Sequence, residues 1–513
     1  MTRNARAGLA LIVASALVTI AVGFAGPSAV ALKLGPSASF LPPWSLPWEL
    51  PDWTEWIVVP ALWLGVAAGT LGLWIANRCL ADGWRPNPWR LYALGAALST
   101  ATALVLPLTS ADVLMYAAYG RLQAIGNNPY DITPASIFRQ EFDPVLVWTE
   151  RPWQDTPSVY GPLASGTQWL AATLGGANAH DIVFWLQLFA LVPFLAIGAI
   201  AIRVARRSGP QRAALFTVLN PLLIWSVVAG AHNDALTVVF AVAALAVMRR
   251  RPLLAGALIG LAGTVKVSLV FYGLAMVWAY RRDARKLLLL LAGAAVPLVL
   301  AYGLWMPRAL LAAMRNLGFI SAGSWATLLY APLVLAVGPA AARAATTVVG
   351  WVGTALVAWM LSRILPWQPV PGVSPARCHR DPPTVAARGA VVLTTAWLIC
   401  SPFTMSWYDL MIWAPLGILG ASKLVDLLLW RGGWLSLAYV TGRAYAFGPA
   451  MLTVSGFLRD VLCAPAQALV LAAVARWWWK GGHARPSLDR WRRRWKALRR
   501  LRERRRGSPT ALG

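Results

Sequence analysis

The sequence predicts an all-α protein whose helices form a polytopic bundle in a membrane. Of its 513 residues, 58% are hydrophobic and only 13% are charged, whereas a soluble domain carries about 25% charged residues. Apolar stretches long enough to cross the lipid core, about 20 residues each, recur along the chain. The formal charge of +27 lies in short loops and in the C-terminal tail. It therefore indicates membrane topology rather than nucleic-acid binding.

The first helices follow an alternation of basic and acidic loops. The apolar run at 7–26 follows a basic start, and its length favours an uncleaved first helix over a cleaved signal peptide. The next loop is acidic and suits the outer face, whereas the loop at 78–90 is basic and suits the cytoplasm. The segment 91–108 then brings Asp112 to the extracytoplasmic face.

Later segments are expected to span the membrane or to end inside it. Segment 161–175 is predicted to dip into the membrane or to lie on it, and segment 181–202 is predicted to cross it. The arms 253–265 and 267–280 reach only about 20 Å, which is short of the ~30 Å lipid core. We therefore expect Lys266, between them, to lie in a recess at an outer apex.

A final pair of spans is predicted at 434–456 and 461–478, which gives about 12–14 transmembrane helices in total. Residues 1–479 are interpreted as one membrane domain with a candidate catalytic outer loop at about 109–160. Residues 480–513 form a basic cytoplasmic tail. Tryptophans and leucines share one face of this tail, which indicates an amphipathic helix on anionic lipid. A disordered, solvated topology anchor is the alternative.

One polar stripe marks the start of the outer loop. Asp112, Tyr116, Tyr119 and Gln123 recur at helical spacing, so residues 111–125 are predicted to form a short amphipathic helix in the outer interface. A catalytic carboxylate is one interpretation of Asp112. The structural alternative is that an aspartate in the first turn simply stabilises the helix dipole.

Further candidate site residues are expected at the outer turns, namely His232, Asp234 and Lys266. A lysine at membrane depth is costly and needs an anionic partner, so Lys266 either binds a phosphate or pairs with Asp112 or Asp234. Together these groups suit a lipid-linked anionic substrate whose reaction needs a carboxylate base. Asp112, His232 and Asp234 could bind a divalent cation, although no ligand spacing demands a metal cofactor. A transporter or flippase of a lipid-linked or anionic substrate is the main alternative.

Five stretches in a fixed order carry a resemblance to a known family. After Asp112 follow "YGRLQAIGNNPYD", "RPWQDTPSVYGPL", "NPLLIWSVVAGAHNDAL", "LAGALIGLAGTVKVSLV" and "SPFTMSWYDL". Their order resembles the polyprenol-phosphate-mannose-dependent α-(1→6)-mannosyltransferases of actinobacteria, within the GT-C superfamily of integral membrane glycosyltransferases. The resemblance covers about 90–425.

The resemblance implies a GT-C bundle with juxtamembrane helices in the first long outer loop. It implies transfer of mannose from a polyprenyl-phosphate donor to a hydroxyl of a lipid-linked glycan acceptor in cell-envelope synthesis, by inversion and with α-(1→6) linkages. Carried over, Asp112 is the general base, and Lys266 with Arg121 contacts the donor phosphate. Sugar or acceptor contacts fall on Tyr119, Asn128, Tyr130, Trp153, Tyr160, His232, Asn233, Asp234, Trp407 and Tyr408.

Overall fold

The regular structure of the protein is helical throughout the part of the chain that is described. The computed structural model describes all residues except 1–2, 27, 29, 36–39, 48–50, 151–152, 206–208, 316–317, 368–377, 421, 441–447 and 482–513. Within the described ranges there is no β-strand, only an isolated bridge between Trp44 and Val105. The predicted all-α fold class is confirmed. The proposed tail helix lies outside the described residues from residue 482 onward.

Long apolar helices make up most of the bundle. Eight helices of the described chain are long and apolar enough to cross a membrane: Arg3–Ala25, Glu55–Ala81, Ala179–Val204, Pro210–Val228, Ala284–Trp305, Pro339–Ile364, Pro382–Cys400 and Pro449–Gly481. Shorter apolar helices are Asp234–Val247, Pro252–Val265, Val267–Tyr280 and Thr327–Val337. A membrane protein is thus confirmed, and the total of 12–14 spans stays a prediction because it includes segments shorter than the lipid core.

The remaining helices connect these spans or lie beside the outer loop. They are Ala31–Leu34, Pro88–Ala103, Asp112–Ala124, Pro134–Phe138, Pro162–Gly175, Arg308–Arg315, Leu410–Ile418 and Leu424–Val440, with short 3-10 turns at Asp52–Thr54, Leu146–Trp148, Trp153–Asp155 and Ser406–Asp409. The predicted span at 434–456 is wrong. Its residues are divided between two separate helices, and the second of these begins with Pro449, a residue suited to the first turn of a helix.

Glycines set the closest helix crossings of the bundle. A Cβ on Gly256 would overlap the backbone oxygen of Leu290, and one on Gly293 would overlap that of Leu253. Pro252–Val265 and Ala284–Leu298 therefore pack backbone to backbone. Small residues at such crossings are the usual way in which membrane helices gain van der Waals contact.

The helix Asp112–Ala124 ends within one residue of the predicted bounds, 111–125, at each end. Residues from Val113 to Gly120, together with Leu122, are buried on every side of the helix, so the prediction that it is amphipathic is wrong. Its position in the outer interface stays a prediction. The helix packs against Pro162–Gly175 and Ala179–Val204. Its polar stripe faces the protein interior rather than water, because that is where the candidate site lies.

Candidate functional site

Asp112 is held at the first turn of its helix by contacts with a distant segment. The backbone N–H of Leu108 donates to the oxygen of Ala229 at 2.8 Å, which joins the chain before Asp112 to the turn before His232. The Asp112 N–H donates to Oγ of Ser110 at 3.1 Å. The carboxylate retains 31% of its side-chain exposure, so it can meet a substrate.

His232 is completely buried behind Asp112. Its Nδ1 lies 3.1 Å from the hydroxyl of Tyr116 and 3.8 Å from Oδ2 of Asp112. The imidazole stacks on Trp407 with ring centroids 3.8 Å apart. The preceding residue, Ala231, has a φ of 52°, a left-handed conformation that is strained for alanine. This strained turn aims the ring at Asp112 and Tyr116.

Lys266 occupies a break between two short helices, as the sequence predicts. Its backbone is extended, with φ −151° and ψ 123°, between Pro252–Val265 and the turn Val267–Leu269. Its ammonium lies 2.8 Å from Oδ1 of Asp234 and 4.0 Å from the ring centre of Tyr408. Of the two ion pairs considered from sequence, the structure forms the pair with Asp234.

Asp112 and Lys266 line one cavity of about 420 Å³. Its other lining residues come from the outer loop, from the turn near 320, from the motif near 405 and from the helices Leu424–Val440 and Pro449–Gly481. They include Ser110, Tyr116, Tyr119, Glu150, Trp153, Tyr160, Phe319, Ser321, Phe403, Met405, Trp407, Tyr408, Tyr439 and Arg459. The cavity thus combines two carboxylates, Asp112 and Glu150, with cationic groups and a largely aromatic wall.

The outer loop is fixed against the Lys266 break. The N–H of Gly161 donates to the oxygen of Val265 at 3.1 Å, and a Cβ on Gly161 would overlap the oxygen of Thr264. Tyr160 is therefore carried to the cavity next to Lys266. Its ring meets that of Tyr116 edge-on at 5.1 Å.

Several predicted site residues lie elsewhere. Arg121 donates through Nε to Asp143 at 2.8 Å and is not among the lining residues of the cavity, so the structure does not bring it to Lys266. Asn128 and Tyr130 line a second cavity of about 470 Å³. The Tyr130 hydroxyl donates to the oxygen of Tyr160 at 2.9 Å, which gives it a structural role between the two cavities.

Asn233 and Asp234 stand behind the cavity wall rather than in its lining. Asp234 is fully buried, and it acts on the site through Lys266. The described residues contain no group of three or more His, Cys, Asp or Glu side chains that could hold a metal ion. Asp112, His232 and Asp234 therefore do not form a cation site in this arrangement.

Burial sets the protonation of the two central groups. Burial raises the pKa of Asp112 to about 6, against the hydrogen bond from Ser110 and the positive charge of Lys266, which lower it. Burial, reinforced by Lys266, holds the pKa of His232 well below its usual range. The imidazole is thus neutral at pH 7, and Asp112 is the group that titrates near neutrality.

Sequence reasoning missed several lining residues. Glu150 belongs to the predicted outer loop, and its pair with Lys33 at 3.2 Å could have been suspected only from their shared outer-face placement. Ser321 and Phe319 lie in a stretch for which the sequence predicted no site residue. Arg459 fell in the short turn predicted between the spans 434–456 and 461–478, where a charged residue gives no signal of a site.

Comparisons with known proteins agree with this arrangement of motifs. A family model described as "Alpha-(1->6)-mannopyranosyltransferase, N-terminal domain" matches residues 7–282. Alpha-(1->6)-mannopyranosyltransferase A of Corynebacterium glutamicum is 26% identical over 38% of this chain and 44% of its own length. Alpha-(1->6)-mannopyranosyltransferase A of Mycobacterium tuberculosis is 27% identical over 50% of each chain.

The chain spans half or less of the length of each of these curated relatives. A solved structure, ArnT from Cupriavidus metallidurans bound to undecaprenyl phosphate, is 17% identical over 75% of both chains, with a TM-score of 0.38. The family match, in contrast, extends over more than half of the 513 residues. This chain therefore belongs to the alpha-(1->6)-mannopyranosyltransferase family.

Proposed function

We propose that the protein transfers a mannosyl group from a polyprenyl-phosphate donor to a hydroxyl of a lipid-linked glycan acceptor. The observation that carries this proposal is that one aromatic cavity is lined by a carboxylate, Asp112, and by Lys266, whose ammonium can bind a phosphate. Membership of the alpha-(1->6)-mannopyranosyltransferase family supports mannose as the sugar and α-(1→6) as the linkage.

The chemistry is a single displacement at the anomeric carbon. The acceptor oxygen attacks that carbon, and the bond from the carbon to the phosphate oxygen breaks with its electron pair on the phosphate. Asp112 takes the proton of the attacking hydroxyl. Lys266 offsets the negative charge that develops on the leaving lipid phosphate. Inversion converts a β-linked donor into an α-linked product.

The environment of Asp112 suits a general base. A catalytic base works best when its pKa lies near the operating pH, and burial raises the pKa of Asp112 to about 6. Tyr116 and the neutral His232 lie beside the carboxylate and orient it. The aromatic wall that includes Trp153, Tyr160 and Trp407 offers flat surfaces for sugar rings.

We place the cavity on the extracytoplasmic side of a GT-C-type bundle. The basic clusters at 203–212, 249–251 and 281–286 favour a cytoplasmic position for the loops that hold them. Lys266 lies at the end of its segment that is opposite to such a loop, and Asp112 follows the segment that begins at the basic loop 78–90. A donor whose lipid tail stays in the bilayer would then present its phosphate at the depth of the recess.

The test is mannosyl transfer by the purified full-length chain in lipid nanodiscs. Wild type, Asp112→Asn and the control Asp426→Asn, whose carboxylate makes an exposed pair with Arg78, receive polyprenyl-phosphate mannose and a short α-mannoside. We expect Asp112→Asn to lower kcat by about 10²–10⁴-fold with donor affinity retained, and the control to match wild type. Full activity of Asp112→Asn would contradict the base assignment. Movement of the lipid across the bilayer of sealed proteoliposomes, without any mannosyl transfer, would favour the transporter.

A further inference from the structure

Arg459 is a charged side chain in the last apolar helix, and it lines the cavity of Asp112 and Lys266. The helix Pro449–Gly481 is one of the candidate membrane spans. A charged residue in such a segment is rare, and it usually marks a pathway or a site rather than a structural need. Arg459 lies outside the region matched by the family model, residues 7–282, so the comparisons assign it no role.

The C-terminal end of the helix Pro449–Gly481 indicates how deep Arg459 lies in the membrane. Trp477, Trp478 and Trp479, followed by Lys480, have the composition of a membrane interface. A lipid core of ~30 Å takes about 20 helical residues, which places the opposite interface near Phe457. Arg459 therefore lies close to the boundary where lipid phosphate groups are found.

The backbone at this point departs from the α-helix. Residues Phe457–Leu462 form a π-helical segment inside the long helix, and such segments often occur at functional sites. The extra residue per turn changes the direction of the side chains that follow. In this segment Arg459 lines the cavity, whereas Leu462 is exposed on the surface of the bundle.

The guanidinium of Arg459 has more N–H donors than the two that bond to Asp460. Arg459 donates through Nε and Nη2 to the two carboxylate oxygens of Asp460, at 2.8 and 3.2 Å. A guanidinium carries five N–H donors in a planar fork that suits phosphate oxygens. Asp460 orients the group, and the side chain keeps 31% of its exposure.

We propose that Arg459 binds the phosphate group of a polyprenyl phosphate in the cavity that Lys266 also lines. The proposal rests on the proposed function, because it assigns a second cation to the phosphate of the same lipid donor. Lys266 is paired with the buried Asp234 and Arg459 with Asp460, so each cation offers only the donors that its carboxylate leaves free. Arg459 adds the remaining N–H groups of its planar fork, which suit phosphate oxygens.

The test is equilibrium binding of sugar-free polyprenyl phosphate to the full-length chain in nanodiscs. We expect Arg459→Gln to weaken binding about tenfold or more, the size of a lost hydrogen bond to a charged group. Arg459→Lys should restore part of the affinity. The matched control is Arg476→Gln, an exposed arginine of the same helix that does not line the cavity, and it should bind as wild type does.

Any of three outcomes would overturn the inference. Arg459→Gln with wild-type affinity and an unchanged melting temperature would remove Arg459 from the phosphate site. Inorganic phosphate that competes as strongly as the lipid would indicate a general anion site instead of a lipid headgroup site. Since this assay contains no sugar, lipid binding that depends on Arg459 without any mannosyl transfer would refute the proposed function alone. Normal transfer with an unchanged donor KM in Arg459→Gln would refute the inference alone.

Discussion

The ammonium of Lys266 lies 2.8 Å from a carboxylate oxygen of Asp234, whose side chain is completely buried. Lys266 itself also faces the cavity that holds Asp112. One lysine thus pairs with a buried aspartate and also lines the cavity in which we propose that the donor phosphate binds. Loss of the lysine would affect both stability and binding, so a single substitution does not separate its two roles.

A double substitution separates the structural role of Lys266 from its proposed role in donor binding. Lys266→Met leaves Asp234 buried and unpaired, and removal of one partner of a buried pair costs about 3–5 kcal/mol. Lys266→Met/Asp234→Asn removes both charges, so we expect it to regain most of the unfolding free energy while the donor KM stays raised. Thermal unfolding and donor titration measure the two effects. A double variant with wild-type donor KM would show that Lys266 has only the structural role.

The pH dependence of transfer should report the ionisation of Asp112. Activity needs the deprotonated carboxylate, so kcat/KM should fall as the pH drops through about 6, the pKa of Asp112. Ser110 lowers that pKa by a hydrogen bond, whereas the negative charge of Glu150 raises it. Ser110→Ala should therefore move the acid limb to higher pH, and Glu150→Gln should move it to lower pH. An acid limb that stays in place in both variants would assign it to another group.

Gly120 should be essential to the position of the helix that carries Asp112. A Cβ there would overlap the backbone oxygen of Gln168, so Gly120→Ala must separate Asp112–Ala124 from Pro162–Gly175. Overpacking of this kind costs about 1–3 kcal/mol, and activity should fall because Asp112 moves with its helix. Gly273→Ala is the control, since nothing lies within 4 Å of its added Cβ. Equal melting temperatures for the two variants would contradict the close crossing.

The buried pair of Arg431 and Asp409 should hold the aromatic wall of the cavity. Arg431 is fully buried and bonds to Asp409, to Thr404 and to the oxygen of Leu398. Asp409 ends the turn Ser406–Asp409 that carries Trp407 and Tyr408. We expect Arg431→Met to lower stability by about 3–5 kcal/mol, together with kcat/KM.

Two comparison variants test this role of Arg431. Arg431→Met/Asp409→Leu should recover stability, because both charges are then absent. Arg78→Gln breaks the exposed pair with Asp426 and should change stability by about 0–1 kcal/mol. Chemical denaturation would measure all three proteins. A loss no larger for Arg431→Met than for Arg78→Gln would show that the buried pair does not support the wall.

Local patterns account for the parts of the site that could be predicted. The break at Lys266 was visible because two apolar arms too short to span meet at a charged residue. The bounds of Asp112–Ala124 followed from helical spacing and from the stop at Gly126. The fold class followed from the length and composition of the apolar segments, which the lipid core constrains directly.

Contacts between residues far apart in the sequence account for the parts of the site that could not be predicted. Arg121 and Asp143 are 22 positions apart, and no local pattern shows that they meet. The stripe of Asp112, Tyr116 and Tyr119 was expected to face water at the outer interface. The same helical spacing of polar residues also occurs when one face of a helix lines an internal cavity and the other face packs on neighbouring helices.

The sequence by itself determined that this chain is a helical membrane protein and that Asp112, His232 and Lys266 lie at the ends of membrane segments, because hydrophobic length and charge are local properties. The tertiary structure decided that Lys266 pairs with Asp234 rather than Asp112, that His232 stacks on Trp407, and that Arg459 reaches the same cavity. Those partners come from segments far apart in the chain. Only the close packing of helices, which depends on the shapes of all of them together, brings these segments to one place.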